Sequence, residues 1–112
     1  LFFAEAEVFR PGVHRAITEA SGAVQMLVVA AEPITDVDST AADVLAELDE
    51  ELERWGVELA FAEMKGPVKD RLRRYGLFER IGEHRFYATV GVAVRSYVRE
   101  YGVAWRDWED RG

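Results

Sequence analysis

Two apolar segments, Val24–Ala31 and Val57–Met64, constrain the fold of this chain more than any other feature. The first is almost continuously apolar and rich in β-branched residues, which is typical of a strand covered on both faces of a parallel sheet. The second alternates along its length and is also predicted to be a strand. Between them, Thr40–Trp55 repeats apolar residues at the spacing of an amphipathic helix. Strand, helix and strand in this order predict a parallel pair joined by a right-handed crossover.

The same alternation extends over the rest of the chain. In chain order, the other predicted elements are a short strand (Leu1–Ala4), a turn (Ala6–Phe9), a helix (Pro11–Ala20), a second helix (Pro67–Tyr75), an apolar corner (Leu77–Ile81), a brief strand (Phe86–Ala88) and a last helix (Val90–Tyr101). The order β-α-β-α-β-α-β-α predicts an α/β fold with a mostly parallel four-stranded sheet and crossover helices. Residues 1–101 are predicted to form this single domain, and residues 102–112 a flexible C-terminal tail.

The helical periodicity also predicts which side chains face the sheet. In the helix Thr40–Trp55, the apolar stripe consists of Ala41, Val44, Leu45, Leu48, Leu52 and Trp55. We therefore expect Trp55 to be a core residue. In the last helix, the stripe consists of Val94, Tyr97, Val98 and Tyr101. Trp105 and Trp108, in the tail, have no predicted partner.

The composition excludes several classes of function. The 112 residues contain no cysteine, so the chain has no disulfide, no thiol nucleophile and no thiolate zinc site. The 14 basic and 21 acidic residues give a net charge of −7, which would repel nucleic acid and anionic lipid. His14 and His84 are isolated and lack the spacing of metal ligands, so no metal site is predicted. The longest apolar run, Met26–Ala31, is far shorter than the roughly 18 residues that a membrane span needs.

The first residues, Leu1-Phe2-Phe3, are apolar and include no initiator methionine. Such a sequence is typical of the interior of a folded protein. We expect the chain to be a piece of a longer protein, so the lack of a membrane segment here says nothing about the parent.

The segment Thr35–Thr40 lies between a buried strand and an amphipathic helix. In open α/β sheets, ligands bind beyond the carboxyl ends of the strands, where helix N-termini offer unpaired N–H groups. Candidate ligand- or partner-binding residues are Asp36, Asp38, Ser39, Thr40 and Ala41 at this turn, and Lys65, Gly66 and Lys69 at the next strand-to-helix turn. The simpler alternative is that Asp38 or Ser39 only caps the helix, since both residue types are preferred there.

A catalytic alternative starts from the same turn. Asp36-Val37-Asp38-Ser39-Thr40 resembles the aspartyl-phosphate motif of haloacid-dehalogenase-type phosphatases, in which the first Asp attacks phosphorus, the second is the general acid and Mg²⁺ bridges them. That chemistry also needs a downstream Lys on a loop and a later pair of acids. After Met64 the only close acidic pair is Glu109-Asp110 in the tail. We therefore predict that the chain is not an enzyme and has no catalytic residues.

A second resemblance covers most of the chain. Asp38-Ser39-Thr40-Ala41 resembles the Asp-Ser-Ser-Gly turn of STAS domains, the fold shared by anti-sigma-factor antagonists and the cytosolic tails of SulP-type anion transporters. The segments that match the transporter branch in order and spacing are Leu1–Phe9, Ile34–Leu45, Leu59–Leu72 and Tyr75–Val90. Four motifs in sequence over roughly 90 residues are more specific than any one of them. The resemblance implies a STAS-like fold whose first family strand lies upstream of Leu1.

The resemblance also implies what such a domain does. It implies a regulatory and interaction domain on the cytoplasmic side of an inner- or plasma-membrane transporter for sulfate or a similar anion. The implied partners are the membrane domain of the same transporter and a cytosolic regulatory protein that the sequence does not identify, with dimerisation in the intact transporter. The alternative from the other branch is a free-standing anti-sigma-factor antagonist that binds a kinase-type anti-sigma factor.

At the level of residues, the resemblance implies a phosphorylation switch at Ser39, with Thr40 beside it, and weak binding of a guanine nucleotide. Two departures from the family pattern bear on the nucleotide. Ala41 replaces the family's Gly, and the acids that flank the turn would repel phosphate. Lys65 and Lys69 would offset this repulsion if the two turns are neighbours.

Overall fold

Four parallel strands form a single sheet in the computed structural model, which describes residues 2–5 and 25–101 of the chain. The strands are β1 (Phe2–Glu5), β2 (Met26–Ala30), β3 (Glu58–Ala62) and β4 (Phe86–Tyr87). The helices are α1 (Ser39–Arg54), α2 (Gly66–Arg74), α3 (Leu77–Ile81) and α4 (Val90–Tyr101), and a 3₁₀ turn (Glu83–Arg85) precedes β4. The strands lie side by side in chain order, and each neighbouring pair is parallel.

The helices α1, α2 and α3 pack on one face of the sheet. Each crossover advances to the next strand in the same direction, so right-handed connections place these helices on the same side. The buried residues of this face include Leu27, Val29, Leu59 and Phe61 from the sheet, Leu45, Leu48 and Leu52 from α1, Val68 and Leu72 from α2, and Leu77, Phe78 and Ile81 from α3. They form the larger of the two hydrophobic clusters in the described residues.

The opposite face of the sheet is covered by α4, which is the one described helix on that side. The second hydrophobic cluster consists of Met26, Val28, Ala60, Ala62, Ala93 and Tyr97. Because β2 and β3 are covered on both faces, neither strand shows the polar alternation of a half-exposed sheet. The small side chains of Ala60 and Ala62 face α4, whereas the large side chains of Leu59 and Phe61 face the layer formed by α1, α2 and α3.

The structure confirms the predicted α/β class and the parallel four-stranded sheet. The long helix begins at Ser39 and ends at Arg54, and the last helix has the predicted bounds. The apolar corner differs from its prediction, because Leu77–Ile81 forms a short helix that starts after Gly76, a residue at a φ of 79°. The predicted turn Ala6–Phe9, the helix Pro11–Ala20 and the tail 102–112 lie outside the described residues.

For two residues, Trp55 and Val98, the prediction of a buried side chain is wrong. Trp55 is 49% exposed, because the helix ends at Arg54 and Trp55 is the C-cap residue, with a φ of −90° and a ψ of 1°. Val98 is 38% exposed, because Ala93 and Tyr97 already fill the contact between α4 and the sheet. The side chain of Tyr101 lies outside the described part of the chain. Within residues 2–5 and 25–101, no helix combines the length and the apolarity needed to cross a bilayer.

Candidate functional site

The candidate site lies at the carboxyl edge of the sheet, where the loops after β2 and β3 begin next to each other. The ladder between these strands continues for one residue beyond β2, because the amide of Ala31 donates to the carbonyl of Ala62 at 2.8 Å. Further along, Nζ of Lys65 donates a hydrogen bond to the carbonyl oxygen of Glu32. The two strand-to-helix turns are therefore neighbours, as a parallel arrangement of consecutive strands requires.

The loop after β2 is anchored by one apolar side chain between two acids. Val37 is only 3% exposed and packs in the larger cluster, whereas Asp36 and Asp38 on either side of it are exposed. Oδ1 of Asp38 accepts a hydrogen bond from the amide of Ala41 at 2.8 Å, and the backbone carbonyl oxygen of Asp38 accepts one from the amide of Ala42 at 2.9 Å. Asp38 is thus the N-cap of α1, with an extended backbone at φ −86° and ψ 177°.

Ser39 and Thr40 form the first helical positions of α1, and both are exposed. Their amides belong to the first turn, which has no intrahelical acceptors, and they carry the positive end of the helix dipole. Ser39 therefore combines an exposed side chain with a position in the first turn of the helix. Ala41 is half-buried and packs against the larger cluster, and its amide is already used by the Asp38 cap.

One of the two acids of this turn forms an ion pair with a residue that was not among the predicted site residues. Nε of Arg71, on α2, lies 3.6 Å from Oδ1 of Asp36, and both side chains are about half exposed. Lys65 contacts the backbone of Glu32 instead of an acid of the turn, and Lys69 is half-buried on α2. The sequence does show an unusual density of basic residues in Pro67–Tyr75. Which of these residues faces the first turn, however, depends on how α2 packs, and the sequence alone does not give that packing.

The turn after β3 has no glycine cradle for a phosphate. Glu63 takes a φ of 61°, and its amide donates to the carbonyl of Tyr87 at 3.1 Å. Gly66 is the first residue of α2, and a Cβ added there would meet no atom within 4 Å. A residue with a side chain would therefore fit at position 66 without a steric clash at its Cβ. Within the described ranges, no group of three or more His, Asp or Glu residues is arranged to hold a metal ion.

Taken together, these features define a class of small α/β domain in which an acidic, hydroxyl-bearing turn is presented to solvent at the carboxyl edge of a parallel sheet. The chain belongs to the STAS domain family, whose model matches residues 1–93. This match confirms the family suggested by the four motifs.

Relatives that match this chain are described as sulfate transporters. Two probable sulfate transporters of Mycobacterium tuberculosis, from strains CDC 1551 and H37Rv, are each 36% identical to this chain over 99 residues. High affinity sulfate transporter 2 of Stylosanthes hamata is 34% identical over 74 residues, which is 66% of this chain and 11% of that protein. The aligned part covers 88% of this chain and 18% of each mycobacterial protein. The chain thus spans less than a fifth of the length of those relatives.

A solved structure has the same fold. The STAS domain of a SulP transporter from Vibrio cholerae superposes with a TM-score of 0.75, and the match covers 90% of this chain and 82% of that domain. At 17% sequence identity, this likeness concerns the fold alone.

Proposed function

We propose that this chain is a cytoplasmic regulatory domain of a SulP-type transporter for sulfate or a related anion, with the membrane domain of the same protein as its main partner. The observation that carries the proposal is the 36% identity over 99 residues to probable sulfate transporters. The fold supports it, since an exposed, polar turn at the edge of a sheet suits contact with another protein. The carboxylate of Asp38 serves as a helix cap, which leaves it poorly suited to be a general acid.

The proposal is tested by finding where the native polypeptide resides. An antibody raised against the 112-residue chain is expected to detect a polypeptide several times longer than 112 residues, in the membrane fraction of the source cells. Sulfate uptake by that polypeptide in proteoliposomes is expected to change when the segment is deleted. A soluble polypeptide of the chain's own size would overturn the proposal and favour the free-standing antagonist of an anti-sigma factor.

The regulatory step proposed for this site is phosphorylation of Ser39. A phosphoryl group adds roughly −1.5 to −2 charges at the N-terminus of α1, where the amides of Ser39 and Thr40 favour an anion. The neighbouring carboxylates of Asp36 and Asp38 would repel the phosphate. Because Arg71 is the cation paired with Asp36, the phosphate would compete with Asp36 for Arg71 and thereby alter the exposed surface of the turn. A cytosolic regulatory protein that recognises this turn would sense the change.

Mass spectrometry of the protein from cells is expected to find phosphate on Ser39, or on Thr40 beside it. In transport assays, Ser39→Ala and Ser39→Glu should shift regulation in opposite directions. Thr35→Ala is the matched control, since Thr35 is an exposed hydroxyl residue of the same loop outside the helix. A Ser39 that is unmodified under every growth condition, together with unchanged transport in both variants, would leave this turn with only its capping role.

A guanine nucleotide is the other ligand proposed for this turn, and we expect only weak binding. The amide of Ala41 is engaged by Asp38, and Lys65 is engaged by Glu32, so two of the groups that would hold a phosphate are already used. Titration of GDP into ¹⁵N-labelled chain should shift the amides of Ser39 and Thr40 only near millimolar concentration. Saturation at micromolar GDP would contradict this expectation.

Dimerisation is likewise proposed for the intact transporter, and the 112-residue chain should sediment as a monomer.

A further inference from the structure

The helix α2 is locally basic in a chain that is acidic as a whole. The cations of residues 65–74 are Lys65, Lys69, Arg71, Arg73 and Arg74. The one acid in this segment is Asp70, whereas the whole chain has 14 basic and 21 acidic residues. Lys69 is half-buried, and the other four cations are exposed. The helix α2 therefore presents positive charge to solvent on a molecule whose net charge is negative.

Two of these arginines already contact carboxylates. Nε of Arg71 lies 3.6 Å from Oδ1 of Asp36, and Nη1 of Arg73 lies 2.5 Å from Oδ1 of Asp70. The side chains of both pairs are about half exposed, so each pair contributes little to stability and exchanges partners at little cost. Among the described residues, Arg74 takes part in no ion pair. Its exposed guanidinium group is therefore available to an acid from another molecule.

Arg71 and Arg74 lie on the same side of α2, because residues three apart in a helix are neighbours on its surface. We call this side, formed by Arg71 and Arg74, the arginine face. It is continuous with the candidate site, since Asp36 beside Arg71 belongs to the loop that carries the Asp38 cap and leads to Ser39. A carboxylate placed beside Arg74 would repeat, one turn further along α2, the contact that Asp36 makes with Arg71. The planar guanidinium group suits carboxylates in particular.

We propose that the arginine face binds an acidic helical segment of a cytosolic regulatory protein, with carboxylates three or four residues apart. The inference rests on the proposed function, and it adds the surface and the chemistry of that partner. A partner helix is about 10 Å wide, so it can lie along α2 alone. The flat surface of an anionic bilayer would also approach Asp36 and Asp38, the exposed acids beside Arg71, and these would repel it. The arginine face thus suits a narrow acidic segment better than a lipid surface.

The first test uses the 112-residue chain and an acetylated, amidated, alanine-rich peptide with a glutamate at every fourth position. In ¹⁵N-labelled chain this peptide should shift the amides of Arg71 and Arg74, and added salt should weaken binding. Arg74→Gln is expected to raise the Kd by roughly two- to fivefold, as the loss of an exposed charge pair does. The same peptide with glutamine in place of every glutamate should not bind.

Arg54→Gln is the matched control for Arg74→Gln. Arg54 is exposed and is the last residue of α1, followed by Trp55-Gly56, just as Arg74 is the last residue of α2 and is followed by Tyr75-Gly76. Arg54→Gln removes the same charge from the same helical position and should leave the Kd unchanged.

Three outcomes of these titrations would overturn the proposal. One is an equal rise of the Kd in Arg74→Gln and Arg54→Gln, which would mean that only the net charge of the chain matters. Another is that the chain sediments with vesicles of phosphatidylcholine and phosphatidylserine and that Arg74→Gln abolishes this, which would make lipid the occupant. The last is that the amides of α2 shift with chain concentration in the absence of peptide, which would make the arginine face a contact between two copies.

The position of Arg71 links this docking to the Ser39 turn. A negative group on Ser39 would compete for Arg71 and repel the acids of the partner. Ser39→Glu should therefore raise the Kd of the glutamate peptide by about twofold, whereas Ser39→Gln, which adds no charge, should leave it unchanged. Equal Kd values for the two variants would show that the arginine face does not extend to the turn.

The second test identifies the occupant in the intact polypeptide. Benzoylphenylalanine introduced in place of Asp70, on the exposed side of α2, should cross-link in cells to a segment with Asp or Glu at helical spacing. A synthetic peptide of that segment should bind the 112-residue chain and lose affinity with Arg74→Gln. Cross-links to lipid, to a second copy or to a segment without acids would overturn this inference and leave the transporter assignment intact. A soluble, chain-sized polypeptide would instead remove the proposed function, while binding of the glutamate peptide would persist.

Discussion

At the scale of single residues, the hydrogen bond from the amide of Ala41 to Oδ1 of Asp38 fixes where α1 begins. Asp38→Ala is expected to lower the free energy of unfolding by about 1 kcal/mol, because the cap is lost and one amide of the first turn loses its acceptor. Urea unfolding followed by circular dichroism measures this change. Asp38→Ser should retain most of the stability, since a serine hydroxyl also caps a helix.

Asp36 provides the comparison within the same loop. Its ion pair with Arg71 is exposed on both sides and 3.6 Å long, so Asp36→Ala should cost well under 1 kcal/mol. Equal losses in the two alanine variants would mean that the Asp38 cap contributes no more than a surface charge.

Glu63 is the one non-glycine residue with a positive φ in the described ranges. At a φ of 61° its Cβ is crowded against the backbone, at a cost of roughly 1–2 kcal/mol. Glu63→Gly should therefore raise the free energy of unfolding by about 0.5–1 kcal/mol, after allowance for the greater freedom of glycine in the unfolded chain. Chemical denaturation measures the gain, and Glu63→Gln is the control that removes the charge alone. A loss of stability in the glycine variant would show that the Glu63 side chain contributes more than the strain costs.

At the scale of elements, α4 holds the second sheet face through Tyr97, which is 2% exposed. Burial raises the pKa of the Tyr97 phenol above its ordinary value of 10.0. The unfolded chain therefore loses this proton at a lower pH than the folded chain, so the contribution of Tyr97 to stability is complete below about pH 10 and declines as the pH rises further.

Urea midpoints measured at neutral pH and above pH 10 test this dependence. The wild-type chain should lose more stability over that interval than Tyr97→Phe, which has no phenol to ionise. Tyr75→Phe is the control, since Tyr75 is exposed. An identical loss in the wild-type chain and in the Tyr97→Phe chain would contradict the assignment to Tyr97.

The sequence is sufficient to predict the elements and the edge of the sheet that bears the candidate site, because both follow from local periodicity and from topology. The continuous apolarity of Val24–Ala31 requires cover on two faces, and the order of elements provides it. How the elements pack against one another is harder to predict from the sequence. Trp55 continues the apolar spacing of α1, yet the helix ends one residue before it, and Arg71 reaches Asp36 only because α2 lies against the first turn.

At the scale of the whole molecule, the family match ends at residue 93, inside α4, whereas the core extends to Tyr97. A chain that ends at residue 93 should lack a cooperative urea transition and bind a hydrophobic dye, because Met26 and Val28 would lose their cover. A chain that ends at residue 101 should keep the midpoint of the full-length chain. A cooperative transition in the shorter chain at the full-length midpoint would show that α4 is dispensable for the core.

The placement of α4 has a consequence for biosynthesis. A ribosome makes this helix after every strand of the sheet, so among the described residues the α1–α3 layer on one face is complete before the helix that contacts the other face has been made. Domains fold as units during synthesis, and this one completes its packing only when residues near 97 have left the exit tunnel. Until then, the apolar side chains of β2 and β3 that pack against α4 in the folded domain lack that contact, and exposed apolar surface of this kind is prone to association.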